Sequence, residues 1–189
     1  MSDSEVAESM NNLDVKILSC TLCELCETRT NAVPGSGNIV NPEVVFVGEG
    51  PGRNEDLQGK PFVGRGGKLL DELLQGAGLK REHVYITNIV KCRPPRNRKP
   101  KPDEVSTCTS HYLEKQLEIL KPKLICTLGA TALQYFTGEK EMGSNHGKLF
   151  RTKSQIQLLP TYHPAAVLRN RKLRKSLDED LKKIAGLIQ

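Results

Sequence analysis

Residues 44–56 read VVFVGEGPGRNED, and the fold turns on how this stretch is read. Its first four residues are apolar and mostly β-branched, which predicts a short strand buried on both faces, the kind found inside a parallel sheet. The strand runs straight into glycines at 48, 50 and 52. Lacking a Cβ, these let the backbone approach a ligand closely and present its amides. In open α/β sheets, ligands bind at the carboxyl ends of the strands, where this loop begins. Two phosphate-binding loops are excluded by spacing. The glycines do not follow G-x-G-x-x-G and Pro51 interrupts them, while Gly67-Lys68 is followed by Leu69 and has Phe62 where a Walker loop needs its first glycine. A purely structural turn remains the alternative to a binding loop.

Working outward, strand and helix signals alternate. Leu69, Leu70, Leu73 and Leu74 mark a helix stopped by Gly76 and Gly78, and residues 84–89 (VYITNI) are the next strand. Pro102-Asp103-Glu104 opens a helix running through Leu113, Leu117 and Leu120. Residues 124–128 (LICTL) form a third strand, and Gly129 begins a helix containing Leu133 and Phe136. Residues 148–151 and 155–160 suggest a hairpin that feeds a fourth sheet strand, and residues 173–188 a closing helix. Toward the N-terminus, residues 1–8 read as disordered, and residues 9–30 hold a short amphipathic helix (Met10, Leu13, Ile17, Leu18) leading into CTLCELC. The expected architecture is α/β: a single domain, residues 1–189, folded as a three-layer α/β/α sandwich with a central four-stranded parallel sheet.

Net charge is +6, unevenly spread. The first nineteen residues carry four acids against Lys16, whereas residues 91–101 gather Lys91, Arg93, Arg96, Arg98, Lys99 and Lys101 with no acid among them. Clustered basicity on a domain of this size favours a polyanion such as nucleic acid, the alternative being charge that serves solubility alone. No apolar run reaches the ~18 residues of a membrane span, and MSDSEVAESMNN lacks the basic and apolar blocks of a secretory signal, so a soluble, intracellular (cytoplasmic) protein is expected. Six cysteines in that compartment argue for metal binding or buried thiols over disulfides. Cys20, Cys23 and Cys26 form two overlapping Cys-x-x-C pairs, a spacing that turns both thiolates toward one ion, while Cys126 lies mid-strand and reads as core packing.

Four motifs in this order resemble the family 4 uracil-DNA glycosylases, which carry an iron–sulfur cluster. They are GEGPGRNED (48–56), GKPFVG (59–64), YITNIVKCRPP (85–95) with Cys108 beyond a fifteen-residue gap, and HPAAVLR (163–169), and the likeness covers nearly the whole chain from Cys20 onward. The resemblance implies Cys20, Cys23, Cys92 and Cys108 as ligands of a structural [4Fe-4S] cluster, four thiolates being the expected complement. Cys26 offers an alternative near pair with Cys23, and zinc is the chemical runner-up.

The resemblance further implies that the base is flipped out of the DNA and read in a pocket. Phe62 would stack on uracil, the amides of Gly50 and Gly52 would help hold it, and Asn88 would accept from N3–H and donate to O4, a pattern that cytosine inverts. His163 would stabilise the charge developing on uracil O2. Glu49 and Glu55 would position water or stabilise the cationic sugar, or Glu55 would only cap a turn. Arg93, Arg96 and Arg98 would contact phosphates, with Leu168 and Arg169 as a minor-groove wedge. The implied partner is uracil-containing DNA, single- or double-stranded, acted on by a monomer, with a sliding clamp or another repair factor as the kind of protein partner to expect. Two other classes compete: a noncatalytic nucleic-acid-binding module stabilised by a cluster or zinc, and an iron–sulfur redox protein.

Overall fold

The alternation in residues 44–47 sorts one strand between two cores. In the computed structural model, which describes residues 1–188 and so leaves Gln189, the last residue of the expected domain, outside, Val44 and Phe46 pack into one apolar cluster and Val45 and Val47 into another. The first cluster is closed by leucines of the helix Arg65–Gly76 and of the C-terminal helix Arg174–Ile188, the second by the N-terminal helix Asp3–Leu18 and the helix Glu114–Leu120. Side chains such as Leu70, Leu113 and Leu181 are completely buried, each stabilising by about 1.5–3 kcal/mol. The three-layer α/β/α sandwich is therefore present.

In chain order the elements are α1 (Asp3–Leu18), α2 (Leu25–Thr28), β1 (Ser36–Gly37), β2 (Val44–Gly48), α3 (Arg53–Gln58), α4 (Arg65–Gly76), β3 (Tyr85–Asn88), α5 (Pro102–Cys108), α6 (Glu114–Leu120), β4 (Leu124–Leu128), α7 (Ala130–Thr137), α8 (Met142–Asn145), β5 (Phe150–Arg151), β6 (Gln157–Thr161), α9 (Pro164–Arg169) and α10 (Arg174–Ile188). The sheet has six strands rather than four, in the order β1-β3-β2-β4-β6-β5. The expected four parallel strands are its centre. Two-residue strands pair antiparallel at the edges, β1 on β3 and β5 on β6. β5 and β6 are the expected hairpin. Register places Gly48 opposite Asn88 and Leu128 opposite Thr161, so the carboxyl ends of all four parallel strands open on one edge.

Three further expectations are corrected. Residues 3–8 are helical, not disordered, because Ser2 and Glu5 form a reciprocal capping box and Val6 extends the buried stripe Met10, Leu13, Ile17 by one turn. Leu18, expected on that stripe, is exposed. The helix expected from Pro102 to Leu120 is continuous in path but widens to a π-helical turn at Thr109–Leu113. There the hydroxyls of Thr109 and Ser110 donate back to the carbonyls of Val105 and Ser106, both at 2.8 Å.

Candidate active site

The edge where the parallel strands end is a cleft of about 670 Å³. Glu49, Gly50, Gly52, Glu55, Phe62, Asn88, Arg98, His163 and Arg169 all line it, so residues more than a hundred positions apart in sequence meet there.

Asn88 ends β3 with its side chain buried and its Oδ1 without any hydrogen-bond partner. A buried amide oxygen left unpaired costs about 1–3 kcal/mol; Asp14 Oδ1 and Thr127 Oγ1 share that state, but of the three only Asn88 lines the cleft. The neighbouring position is glycine for a steric reason. A Cβ at Gly48 would lie 2.8 Å from Phe62 Cζ and collide with Asn88 Oδ1.

Phe62 has the left-handed backbone angle φ 52°, uncommon for a residue with a Cβ. Its loop is held from both sides. One carboxylate oxygen of Glu55 accepts the N–H groups of Val63 (3.0 Å) and Gly64 (2.9 Å), while Arg81 donates to the carbonyls of Phe62 (3.1 Å) and Pro61 (2.7 Å) and is itself paired with Asp71 at 2.5 Å. Glu49 is held differently: the hydroxyl of Thr131, in the first turn of α7, donates to its carboxylate. The two acids that the sequence left unranked therefore have distinct surroundings.

His163 sits at the N-cap of α9, where its Nδ1 accepts the N–H of Ala165 at 3.0 Å. That bond fixes the tautomer: with Nδ1 an acceptor, the proton of the neutral ring is on Nε2. Its pKa is lowered to about 4, first by burial and then by the positive charge of Arg169, with Glu55 opposing. The ring is neutral at physiological pH. Gly129, at φ 96°, leaves room for it, since a Cβ there would stand 3.1 Å from His163 Cβ.

On the far side of β3, Cys20, Cys23, Cys92 and Cys108 line one small pocket walled by Ile17, Leu22, Leu25 and Tyr112. Cys26, on α2, does not line it. Donors already point at the sulfurs: the N–H of Leu22 at Cys20 (3.5 Å), the N–H of Lys91 at Cys108 (3.3 Å) and the Arg29 guanidinium at Cys92 (2.9 Å). Among the described residues, no three His, Cys, Asp or Glu side chains stand close enough to share one metal ion. Burial pushes the Cys108 thiol up to about 11.

Against this geometry, a profile of the "Uracil DNA glycosylase superfamily" matches residues 34–185. The chain belongs to the uracil DNA glycosylase superfamily. Relatives of the superfamily named "Type-4 uracil-DNA glycosylase" include those of Archaeoglobus fulgidus (46% identical, over 95% of this chain and 94% of the relative), Thermotoga maritima (45%, over 96% of each) and Sulfurisphaera tokodaii (45%, over 95% and 85%).

This member of the superfamily departs from the sequence reading in its basic loop. The cations of residues 91–101 are not without acids. Arg98 makes a bidentate pair with the buried carboxylate of Glu104 (2.8 and 2.6 Å), which also accepts the N–H of Lys101, and Lys101 Nζ pairs with Glu24 at 2.7 Å. Lys91 is buried, not part of the surface. Arg96 is exposed, and Arg93 Nε donates to Asn97 Oδ1 at 2.7 Å. Leu168 and Arg169 are exposed at the end of α9 beside the cleft.

Sequence reasoning missed Thr131 and Asn97, both on the cleft wall. Thr131 follows the carboxyl end of β4 and was open to the same strand-end rule as Gly48. Asn97 lay in a loop read only for its charge. No helix among the described residues is long and apolar enough to cross a membrane.

Proposed function

We propose that this chain is a uracil-DNA glycosylase of the type-4 kind, a DNA repair enzyme that flips deoxyuridine into the cleft, hydrolyses its N-glycosidic bond and leaves an abasic site. The observation that carries the reading is the unpartnered Oδ1 of Asn88, an acceptor placed beside the ring of Phe62. Uracil N3–H supplies the missing donor, and the Asn88 amide N–H then faces uracil O4. Cytosine carries an acceptor at N3, so it leaves Oδ1 unpaired and is rejected.

Water's oxygen forms the new bond to C1′ as the C1′–N1 bond breaks, the electron pair leaves with the base as a uracil anion, and the proton that the water loses passes through solvent to that anion. His163 is the catalytic residue at that step, its neutral Nε2–H donating to O2 where the negative charge collects; one such donor is worth about 10²–10³ in rate. The amides about Gly50 and Gly52 help hold the base. Glu49, held by Thr131, positions the water or faces the cationic sugar, whereas Glu55 acts through the Phe62 loop as a positioning residue. Arg93 and Arg96 contact phosphates, Arg98 shapes their loop, and Leu168 with Arg169 fills the gap left by the flipped nucleotide.

The four converging cysteines fit a [4Fe-4S] cluster. Four thiols lining one pocket are the complement that such a cluster takes. Cys20, Cys23, Cys92 and Cys108 would hold it, and its contribution is structural bracing of the N-terminal segment against the basic loop. A noncatalytic binding module would leave both the orphaned Asn88 oxygen and the His163 tautomer without a use. An oligonucleotide with one uracil, incubated at low salt and then treated with alkali, should break at the uracil; an intact strand would sink the proposal.

A further inference from the structure

The Lys91 side chain takes no part in the reaction above, yet it is among the most completely buried groups of the fold, 1% exposed. An ammonium in such a place costs several kcal/mol unless its protons are satisfied. All three are. Nζ donates to Thr87 Oγ1 (2.6 Å), to Gln116 Oε1 (2.6 Å) and to the main-chain carbonyl of Asn88 (2.8 Å).

Its acceptors are themselves fixed: Thr87 Oγ1 donates to the carbonyl of Pro34 at 2.7 Å, and Gln116 Nε2 to the same carbonyl at 3.1 Å and to the Tyr85 hydroxyl at 3.2 Å. The main chain of Lys91 is engaged as well, its N–H on Cys108 Sγ and its carbonyl accepting from the N–H of Val33 at 2.7 Å. One residue thus touches the peptide of Asn88, helix α6 and the cysteine pocket.

We propose that Lys91 is a positioning residue which locks the Asn88 peptide, and with it the base-reading amide, to the wall of the cysteine pocket. The inference rests on Asn88 being the base reader. Replacing Lys91 alone leaves Gln116 Oε1 and the Asn88 carbonyl without their donor and so costs stability as well. Uracil affinity reads the positional part of the change. The Asn88 carbonyl and its Oδ1 belong to one residue, so a tilt of that peptide moves the amide in the cleft, where a misplacement near 1 Å costs about 10² in rate.

The test measures free-uracil affinity by calorimetry together with single-turnover uracil release, thermal midpoint and absorbance near 400 nm, on wild type and four variants. Asn88→Ala should abolish uracil affinity. Lys91→Met should weaken it about tenfold, and Gln116→Leu, which removes one of the acceptors that steer the ammonium, about threefold, both keeping the 400 nm absorbance of wild type. Leu117→Ala, a core cavity on the same helix as Gln116, should lower the thermal midpoint and leave uracil affinity unchanged.

If Asn88→Ala binds uracil like wild type, the reading of Asn88 fails first. If Asn88→Ala loses uracil while Lys91→Met keeps it within about twofold, the positioning role alone is overturned. Should Lys91→Met not fold, an unchanged affinity in Gln116→Leu overturns it. An affinity that falls as far in Leu117→Ala, or only in step with the 400 nm absorbance, also does so.

Discussion

The ring of Phe62 stacks on the imidazole of His163, their centroids 5.4 Å apart and their planes inclined by 30°. The contact joins the loop between α3 and α4 to the residue that leads from β6 into α9, so the group proposed to stack on the base and the group proposed to stabilise its departure are set against each other before DNA arrives. Such preorganisation is where electrostatic stabilisation of a leaving group gains most of its strength.

The pH dependence follows from the state of that imidazole. Burial and Arg169 lower the His163 pKa from its ordinary 6.5 to about 4, so the neutral ring is complete above about pH 5; the imidazolium keeps Nε2–H but loses the Ala165 bond that orients the ring. The single-turnover rate should be flat through pH 6–8 and fall only toward pH 4. The same shift has a stability consequence: protonation favours the unfolded chain, so this group's contribution declines as pH falls from the unfolded pKa to the folded one. A rate inflection near 6.5 that disappears in His163→Ala would contradict this state of the ring.

Base preference should turn on the orphaned oxygen of Asn88. Asn88→Asp replaces the amide N–H donor by a second acceptor, which suits cytosine N4–H and repels uracil O4. Uracil release should drop at least ~10²-fold and the ratio of cytosine to uracil release should rise, as measured on matched oligonucleotides. An unchanged ratio would count against Asn88 as the reader.

Glu55 is separable from a group that acts by its charge. Its one oxygen accepts two backbone N–H groups, a geometry that a glutamine oxygen reproduces. Glu55→Gln should keep activity within about tenfold of wild type, whereas Glu55→Ala should free the Phe62 loop and lose ~10²-fold or more. Equal losses in both would make the charge itself the requirement.

Arg96 and Arg98 of the basic loop should behave differently. Arg96→Ala should reduce the slope of log K against log salt by about one phosphate contact and leave the thermal midpoint unchanged. Arg98→Ala strands the Glu104 carboxylate and should lower the thermal midpoint. Thermal melts and salt titrations of the two variants check both statements.

How much of this was legible in the sequence depends on the distance over which each signal acts. The parallel strands and the cleft at their ends were readable because apolar runs and the glycines at 48, 50 and 52 are local patterns. Asn88 and His163 were readable only through the resemblance of YITNIVKCRPP and HPAAVLR to the glycosylase motifs, since an Asn or a His beside a strand end is common on its own. The two-residue edge strands β1 and β5 were not, being too short to carry a period. The first turn of α1 was open to reading, since Ser2 and Glu5 spell a capping box. The pairing of Arg98 with Glu104 across prolines, the burial of Lys91 and the grip of Thr131 on Glu49 depend on how the chain packs, and no spacing announces them.

The measurement that bears most directly on this account is single-turnover release of uracil from a duplex oligonucleotide by wild type and His163→Ala, scored as alkali-labile strand breaks at the uracil. Release by wild type, with a loss of 10²–10³-fold in His163→Ala while DNA affinity is unchanged, is the predicted result. Release that is absent in wild type, or equally fast in both proteins, would contradict the account.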